Sequence, residues 1–247
     1  MKDYDSIELG FVFEEPPSQQ AYETLFSMFY NQGDGSKGEK HHEIHYRDGD
    51  HRSTIDADNE EAAEIMTTAS MCHVSLSTGH SNIDHTIEVG FDNSGMGLLA
   101  TSPYHHLSLT TWIYSLEDPK KEALDTVKNR RMRYVRGLAE MAQIFGPLWG
   151  FGRRGGLAVG EDETIEDLAT RTKPPLYEYN VFRAETVEAI GREQVLSAPA
   201  YYVEELDWGG VFIAVTEPPK QCGHEGQQCK EVADQLGLSL AKTERYH

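Results

Sequence analysis

Apolar and polar positions alternate with a period of two along residues 6–14, SIELGFVFE, which predicts a half-buried β-strand. The sequence PPS then breaks the strand, and residues 19–32 place apolar side chains, among them Tyr22 and Phe26, at helical spacings of three and four. A second strand and a second helix are predicted at 42–47 and 59–70. The N-terminal region is therefore expected to pack helices with an apolar face on a sheet.

Period two returns between residues 72 and 115, where turn sequences separate four apolar segments, CHVSLST, HTIEVGF, GLLAT and SLTTWIY. These segments predict an antiparallel meander. Residues 120–146 then carry the longest helical pattern, which ends at Gly146-Pro147. Four arginines lie in this helix at 130, 131, 133 and 136. Successive helical residues point about 100° apart, so we expect these arginines to be solvated or paired with carboxylates, with an anion or partner site as the alternative.

A change of pattern at residues 146–175 predicts a boundary, because a glycine-rich stretch, a short acidic helix and a Pro-Pro break follow one another. The predicted organisation has an N-terminal α+β part at 1–146, a glycine-rich loop with a short helix at 147–175, and a C-terminal βαββα part at 176–247. The fold class is α+β, with an antiparallel or mixed sheet, helices packed on one face and two related split βαβ-like halves.

The charge balance restricts the classes of partner. With 41 acidic and 22 basic residues, the formal net charge is −19. This charge repels nucleic acids and anionic membranes, so neither is an expected generic partner. An excess of carboxylates is typical of proteins that stay hydrated in concentrated salt, and we interpret it as a sign of a halophilic archaeal source, with an ordinary acidic cytosolic protein as the alternative.

The cysteines and the apolar runs indicate the compartment. Three cysteines, Cys72, Cys222 and Cys229, are not the framework of a secreted disulfide scaffold, and we expect reduced thiols. No run of signal-peptide length opens the chain, and no stretch of about 18 apolar residues occurs. The prediction is a cytoplasmic protein without a membrane partner.

Residues 41–51, HHEIHYRDGDH, raise the hypothesis of a metal site. On a strand, His41 and His45 fall on one face, and the following turn supplies Asp48 and Asp50, a donor set that suits zinc or manganese. The alternative, which we favour, is a solvated polar edge strand and turn. Cys222, His224 and Cys229 also offer zinc ligands, but a loop and a buried helix position explain them without a metal.

The sequence LWGFGRRGG at 148–156 provides the favoured candidate for partner binding. We predict that this stretch is a flexible loop. Trp149 and Phe151 would be its aromatic anchors, and the guanidinium groups of Arg153 and Arg154 would donate paired hydrogen bonds. This composition is typical of protein contact hot spots or of a loop that binds an anion. The alternative is a linker whose aromatic side chains cover the edge of the core.

Residues 145–240 resemble known proteins in their order of apolar and turn positions. A helix in AETVEAIGREQVLSAPA leads to the strand VEEL, a Gly-Gly hairpin, the strand VFIAVTEPP and the helix EVADQLGL. This order resembles uncharacterised proteins of halophilic archaea and, more distantly, the immunity proteins of bacterial polymorphic-toxin systems. The resemblance implies a non-enzymatic protein that binds a single partner, with a negative charge suited to a basic toxin domain.

The sequence therefore predicts a non-enzymatic protein whose partner is another protein, of an immunity-like or accessory type. One alternative is a metal-dependent hydrolase that uses the histidine and aspartate cluster at 41–51. Another alternative is a subunit of a larger assembly or a virus-associated structural protein. A homo-oligomer of this chain is one form of such an assembly.

Overall fold

The computed structural model describes residues 6–31, 42–48, 51–69, 71–78, 87–92, 98–113, 116, 123–222 and 227–241. The strands are β1 Ser6–Phe13, β2 His42–Asp48, β3 His51–Ala57, β4 Met71–Thr78, β5 Ile87–Asp92, β6 His105–Trp112, β7 Trp149–Arg154, β8 Tyr179–Phe182, β9 Tyr202–Glu205 and β10 Val211–Ala214. The α-helices are α1 Gln19–Asn31, α2 Asn59–Thr68, α3 Leu124–Phe145, α4 Ile165–Thr170, α5 Ala184–Ile190, α6 Arg192–Leu196 and α7 Gln227–Leu236.

The described strands form one ten-stranded sheet in the order β3-β2-β4-β5-β6-β1-β7-β8-β10-β9. Each pair of neighbouring strands is antiparallel. The predicted α+β class with an antiparallel sheet is therefore confirmed. None of the described helices combines the length and the apolar character needed to cross a membrane.

The pairing of β1 with β7 lies in the middle of this sheet. Phe11 is opposite Gly150, and Leu9 is opposite Gly152. β7 also pairs with β8 on its other side. The prediction of a glycine-rich loop at 148–156 is therefore wrong, because six of these residues form a central strand. The sheet runs without interruption from the predicted N-terminal part through 147–175 into the predicted C-terminal part.

The two faces of the sheet carry different helices. On one face, α1, α2 and α3 cover a core that includes Phe11, Leu107 and Val181. On the other face, α4 packs over Trp149 and Phe151 of β7, and α5, α6 and α7 pack on β8 and β10. β8 and β10 contribute Val181 and Phe212 to the same core as α3, and their other face packs against α5, α6 and α7. Helices therefore cover both faces of the sheet at these two strands, and the expectation that helices pack on one face does not hold there.

Local sequence explains where several helices begin and end. The Asp58 side chain accepts a hydrogen bond from the Glu61 N–H at 2.9 Å, which caps α2. Gly146 ends α3 in the left-handed region with φ 53°. Gly191, with φ 115°, divides the predicted helix after residue 184 into α5 and α6. One prediction in the meander is wrong, because Leu99–Thr101 form a 3₁₀ turn and not a strand.

We expect Gly137→Ala to raise the free energy of unfolding by about 0.8 kcal/mol. Gly137 lies inside α3, and a Cβ atom added there meets no other atom within 4 Å. The substitution therefore removes backbone entropy from the unfolded chain without a steric cost in the folded one. Urea denaturation of the variant and the wild type measures the difference, and an unchanged or lower midpoint would contradict the prediction.

Candidate partner-binding cleft

A cleft of about 620 Å³ has three walls, which come from four segments of the chain that are distant in sequence. The first wall is the connection from β1 to α1, residues 14–18, in which the Ser18 Oγ accepts a hydrogen bond from the Ala21 N–H at 3.2 Å. The second wall is the end of α3 with Gly146, Pro147 and Leu148. The third wall is formed by residues 183–185 and by Trp208. This volume lies in the range of protein sites that hold a ligand or an inserted side chain.

Trp208 joins the third wall of the cleft to the second. Its indole Nε1–H donates a hydrogen bond to the Ala142 carbonyl at 3.3 Å, and its ring remains partly exposed. The neighbouring Asp207 N–H donates to the Gln143 Oε1 at 2.7 Å, and the Gln143 amide donates back to the Asp207 carboxylate at 3.3 Å. The β9–β10 hairpin is therefore fixed to the last turn of α3, which holds the two walls in one arrangement.

The predicted partner-binding residues Trp149 and Phe151 lie in the core. They are 2% and 1% exposed, and their rings stack with centroids 4.3 Å apart. Tyr177 packs against both of them. Their predicted role in partner contact stays a prediction, but in the folded chain these two aromatic side chains fill the core between β7 and α4.

Arg153 and Arg154 are also held within the fold. Arg153 is 2% exposed and lies opposite Glu8 in the pairing of β1 with β7. The Arg154 N–H donates to the Glu178 Oε2 at 2.6 Å, and its guanidinium donates to the Pro219 carbonyl at 3.2 Å. Glu178, which is buried, accepts a second hydrogen bond from the Cys222 N–H at 2.9 Å. Arg154 therefore contacts a buried carboxylate that also binds the backbone of Cys222.

The expectation of reduced thiols is wrong for two of the three cysteines. Cys222 and Cys229 form a disulfide that joins the segment after β10 to α7, whereas Cys72 is a buried thiol outside this disulfide. Cys229 also lies in the apolar core beneath α7, as its helical position predicted. The zinc alternative for Cys222 and Cys229, which the sequence analysis did not favour, is replaced by this covalent bond, and His224 lies outside the described residues.

We expect Cys222→Ser to lower the free energy of unfolding by about 2.5 kcal/mol, because the disulfide closes a short loop and restricts the unfolded chain. Cys229 stays in the core of the variant, so little packing is lost. Urea denaturation with and without a thiol reductant provides the measurement. Reduced wild type should match the variant, and equal midpoints for the oxidised wild type and the variant would refute a stabilising disulfide.

The arginine run of α3 is divided among different environments. Arg130 and Arg131 are buried, whereas Arg133 and Arg136 are exposed. The Arg131 Nε–H donates to the Leu116 carbonyl at 2.9 Å, and its Nη1 lies 3.3 Å from the Glu217 carboxylate. Arg131 is therefore paired with a carboxylate, as the sequence analysis expected for this run of arginines.

Glu217 is held by two cations. Lys220 lies 2.9 Å from its second carboxylate oxygen. Burial raises the pKa of Glu217, but Lys220 and Arg131 lower it more, so the pKa lies below the usual glutamate value. A lowered folded pKa means that this stabilisation is present above the unfolded pKa and is lost as the pH falls through the folded pKa.

We expect Glu217→Gln to lower the free energy of unfolding by about 1.5 kcal/mol at pH 7, because it weakens charge-assisted hydrogen bonds. The difference from the wild type should stay constant down to about pH 5 and shrink below about pH 4.3, where unfolded glutamate becomes protonated. Urea denaturation at several pH values measures this difference in the free energy of unfolding. Glu64→Gln, at an exposed position of α2, is the control. A difference that does not change with pH would contradict this assignment.

The predicted metal cluster is only partly within the described residues. His45 is exposed in β2, and its Nδ1 lies 2.8 Å from the Thr54 Oγ1 of β3. Asp48 ends β2, whereas His41 and Asp50 lie outside the described residues. Among the side chains that the structure describes, no three His, Cys, Asp or Glu residues are grouped so as to hold a metal ion.

The comparisons with known proteins bear on the fold. No family model matches the sequence, and no curated protein matches it. The chain is similar in structure to the Pseudomonas aeruginosa T6SS protein PA0821, with a TM-score of 0.52 and 10% sequence identity over 98% of this chain and 77% of that chain. At this identity the similarity shows the fold alone.

Sequence reasoning missed the cleft. Pro16-Pro17 and Gly146-Pro147 were interpreted as a strand break and a helix stop, and Trp208 as part of a hairpin signal. No local pattern could have brought these segments together, since they are far apart in the chain. The halophilic source, the cytoplasmic location and the assembly alternative stay predictions.

Proposed function

We propose that this chain is a non-enzymatic protein of the immunity-like or accessory type, and that it binds a partner protein at the cleft. The observation that carries the proposal is the cleft itself, in which a partly exposed Trp208 lines the third wall. A tryptophan in a preformed cavity is a frequent centre of binding energy in protein interfaces. The hydrogen bonds from the β9–β10 hairpin to α3 lower the entropic cost of binding, because the walls are held before the partner arrives.

Two further observations support this proposal. The fold that the chain shares with a T6SS protein agrees with a role of this accessory type. The net charge of −19 supports a partner of basic character, and also a salt-adapted source. The resemblance of residues 145–240 to immunity proteins agrees with such a partner.

The proposal is tested with the products of the genes that flank this one in its own genome. We expect one of them to arrest growth when expressed alone, and co-expression of this chain to restore growth. Calorimetry should give a Kd below about 100 nM for that pair. If the chain neither protects against any of these products nor binds one with a Kd below about 10 µM, the immunity-like function is rejected.

A matched pair of variants relates this binding to the cleft. Ala21→Trp places a large ring in the cleft, and Ala123→Trp places the same ring on an exposed residue before α3. Provided that circular dichroism shows both variants to be folded, we expect the first to weaken binding at least tenfold and the second to leave it unchanged. Equal affinities would place the partner elsewhere on the surface.

A metal-dependent hydrolase remains a second candidate, because the strand register supports it. His45 of β2 is opposite His73 of β4, and His73 is opposite Asp92 of β5. These three residues therefore stand in one row of the strand register, across three neighbouring strands. Imidazole and carboxylate donors suit zinc or manganese. Stoichiometric metal in the purified chain that is lost in His45→Ala would favour this candidate over a pure binding role, and a metal-free folded chain would remove it.

A further inference from the structure

We infer that the cleft binds a lysine or arginine side chain of the partner, next to an apolar partner residue. This inference rests on the proposed function and adds the chemistry of the partner segment. The charge of the cleft walls, the end of α3 and the apolar side chains of the walls each support it.

The walls of the cleft carry more acidic than basic groups. Glu14 and Glu15 are exposed on the first wall, and the Glu185 side chain is 74% exposed on the third wall. Arg183 also lines the cleft, but its Nε lies 3.7 Å from the Glu185 carboxylate and its Nη2 donates to the Thr170 carbonyl at 3.5 Å. The rim therefore keeps an excess of negative charge that attracts a cation.

The C-terminal end of α3 adds to this negative potential. α3 has 22 residues, and its last turn contains no basic side chain. Ile144, Phe145 and Gly146 from this end line the cleft. The aligned peptide dipoles of a helix place roughly half a negative charge at its C-terminus, and cations near that end are stabilised. The helix end and the rim glutamates therefore favour the same sign of charge.

The walls of the cleft also carry apolar side chains beside their polar groups. These are Pro16, Pro17, Ile144, Leu148 and Trp208, and all are at least partly exposed. Lysine and arginine side chains bury their methylene stems along such surfaces while the charged group stays among polar partners. The volume of about 620 Å³ exceeds that of one such side chain and leaves room for an adjacent apolar residue.

The probe is a pair of peptides, acetyl-Leu-Arg-Leu-amide and the same peptide with citrulline in place of arginine. Citrulline keeps the shape of arginine and removes its charge. Titration of the full chain in 0.15 M NaCl, followed by NMR or calorimetry, should give at least tenfold tighter binding of the arginine peptide. The preference should weaken as salt rises, because a partly exposed cation site is screened.

Two triple variants with the same change in net charge localise the effect. The cleft variant is Glu14→Gln, Glu15→Gln and Glu185→Gln, and the control is Glu64→Gln, Glu140→Gln and Glu231→Gln, all at exposed positions. The cleft variant should lose the preference for arginine, whereas the control should keep it. Equal binding of the two peptides to the wild type, or an equal loss in both variants, would overturn the inference.

The same variants separate this inference from the proposed function. If a flanking-gene product binds the wild type and the cleft variant equally, the chain is a binding protein but the cation site is rejected. If no flanking product binds, the proposed function fails, and the peptide titration still decides whether the cleft selects a cation.

Discussion

Phe151→Ala is expected to lower the free energy of unfolding by about 4 kcal/mol. The Phe151 ring is 1% exposed and lies between Trp149, with centroids 4.3 Å apart, and Tyr177, with centroids 5.0 Å apart. Alanine would remove the buried ring and leave a cavity beside α4, where strands on both sides of β7 limit relaxation. A loss of this size is a large part of the stability of a typical domain.

Urea denaturation of Phe151→Ala measures this loss, and Leu124→Ala is the matched control. Leu124 is an apolar residue that is 57% exposed at the start of α3, so its truncation should change the free energy of unfolding by less than about 0.5 kcal/mol. A Phe151→Ala protein of wild-type stability that had lost its partner would instead support the contact role that the sequence predicted for this residue.

Gly152→Ala is expected to lower the free energy of unfolding by about 3 kcal/mol, although it adds a single methyl group. A Cβ atom at this position would lie 2.5 Å from the Leu9 Cγ and 2.8 Å from the Glu8 carbonyl oxygen. The Glu8 carbonyl belongs to the paired strand β1, so it cannot move without disturbing the pairing of β1 with β7. The substitution thus forces the two central strands apart.

The matched control for Gly152→Ala is the same substitution at Gly137, where the added atom meets nothing within 4 Å. The two variants should change stability in opposite directions, by about 3 kcal/mol downward and about 0.8 kcal/mol upward. Thermal or urea unfolding of both proteins measures the contrast. A Gly152→Ala protein as stable as the wild type would show that β7 does not approach β1 this closely.

The error at residues 148–156 has a physical cause. Glycine is common in loops because it has no Cβ atom, but the same property lets a strand lie close to large neighbours. In β7, Gly150 and Gly152 face Phe11, Val181 and Leu9, while the aromatic residues face α4. The period of two was present in the sequence, and the neighbours that make glycine necessary come from distant segments.

The candidate site could not be predicted for a similar reason. Phe13 lies in β1, Phe145 in α3 and Trp208 in the β9–β10 turn, and the tertiary fold brings them together in one cleft. The row of His45, His73 and Asp92 also depends on strand register. The sequence cluster at 41–51 contained one of these three residues, since register is set by pairing across the sheet and not by spacing along the chain.

The sequence by itself determined the α+β class, the positions of α1, α2, α3 and α7, and the net charge of −19, because periodicity, caps and composition are local properties. The tertiary structure decided that residues 149–154 are a central strand, that Cys222 and Cys229 are bonded, and that a cleft with an acidic rim joins the start of α1, the end of α3 and Trp208. These features depend on which segments become neighbours, and burial and strand pairing between distant residues determine that.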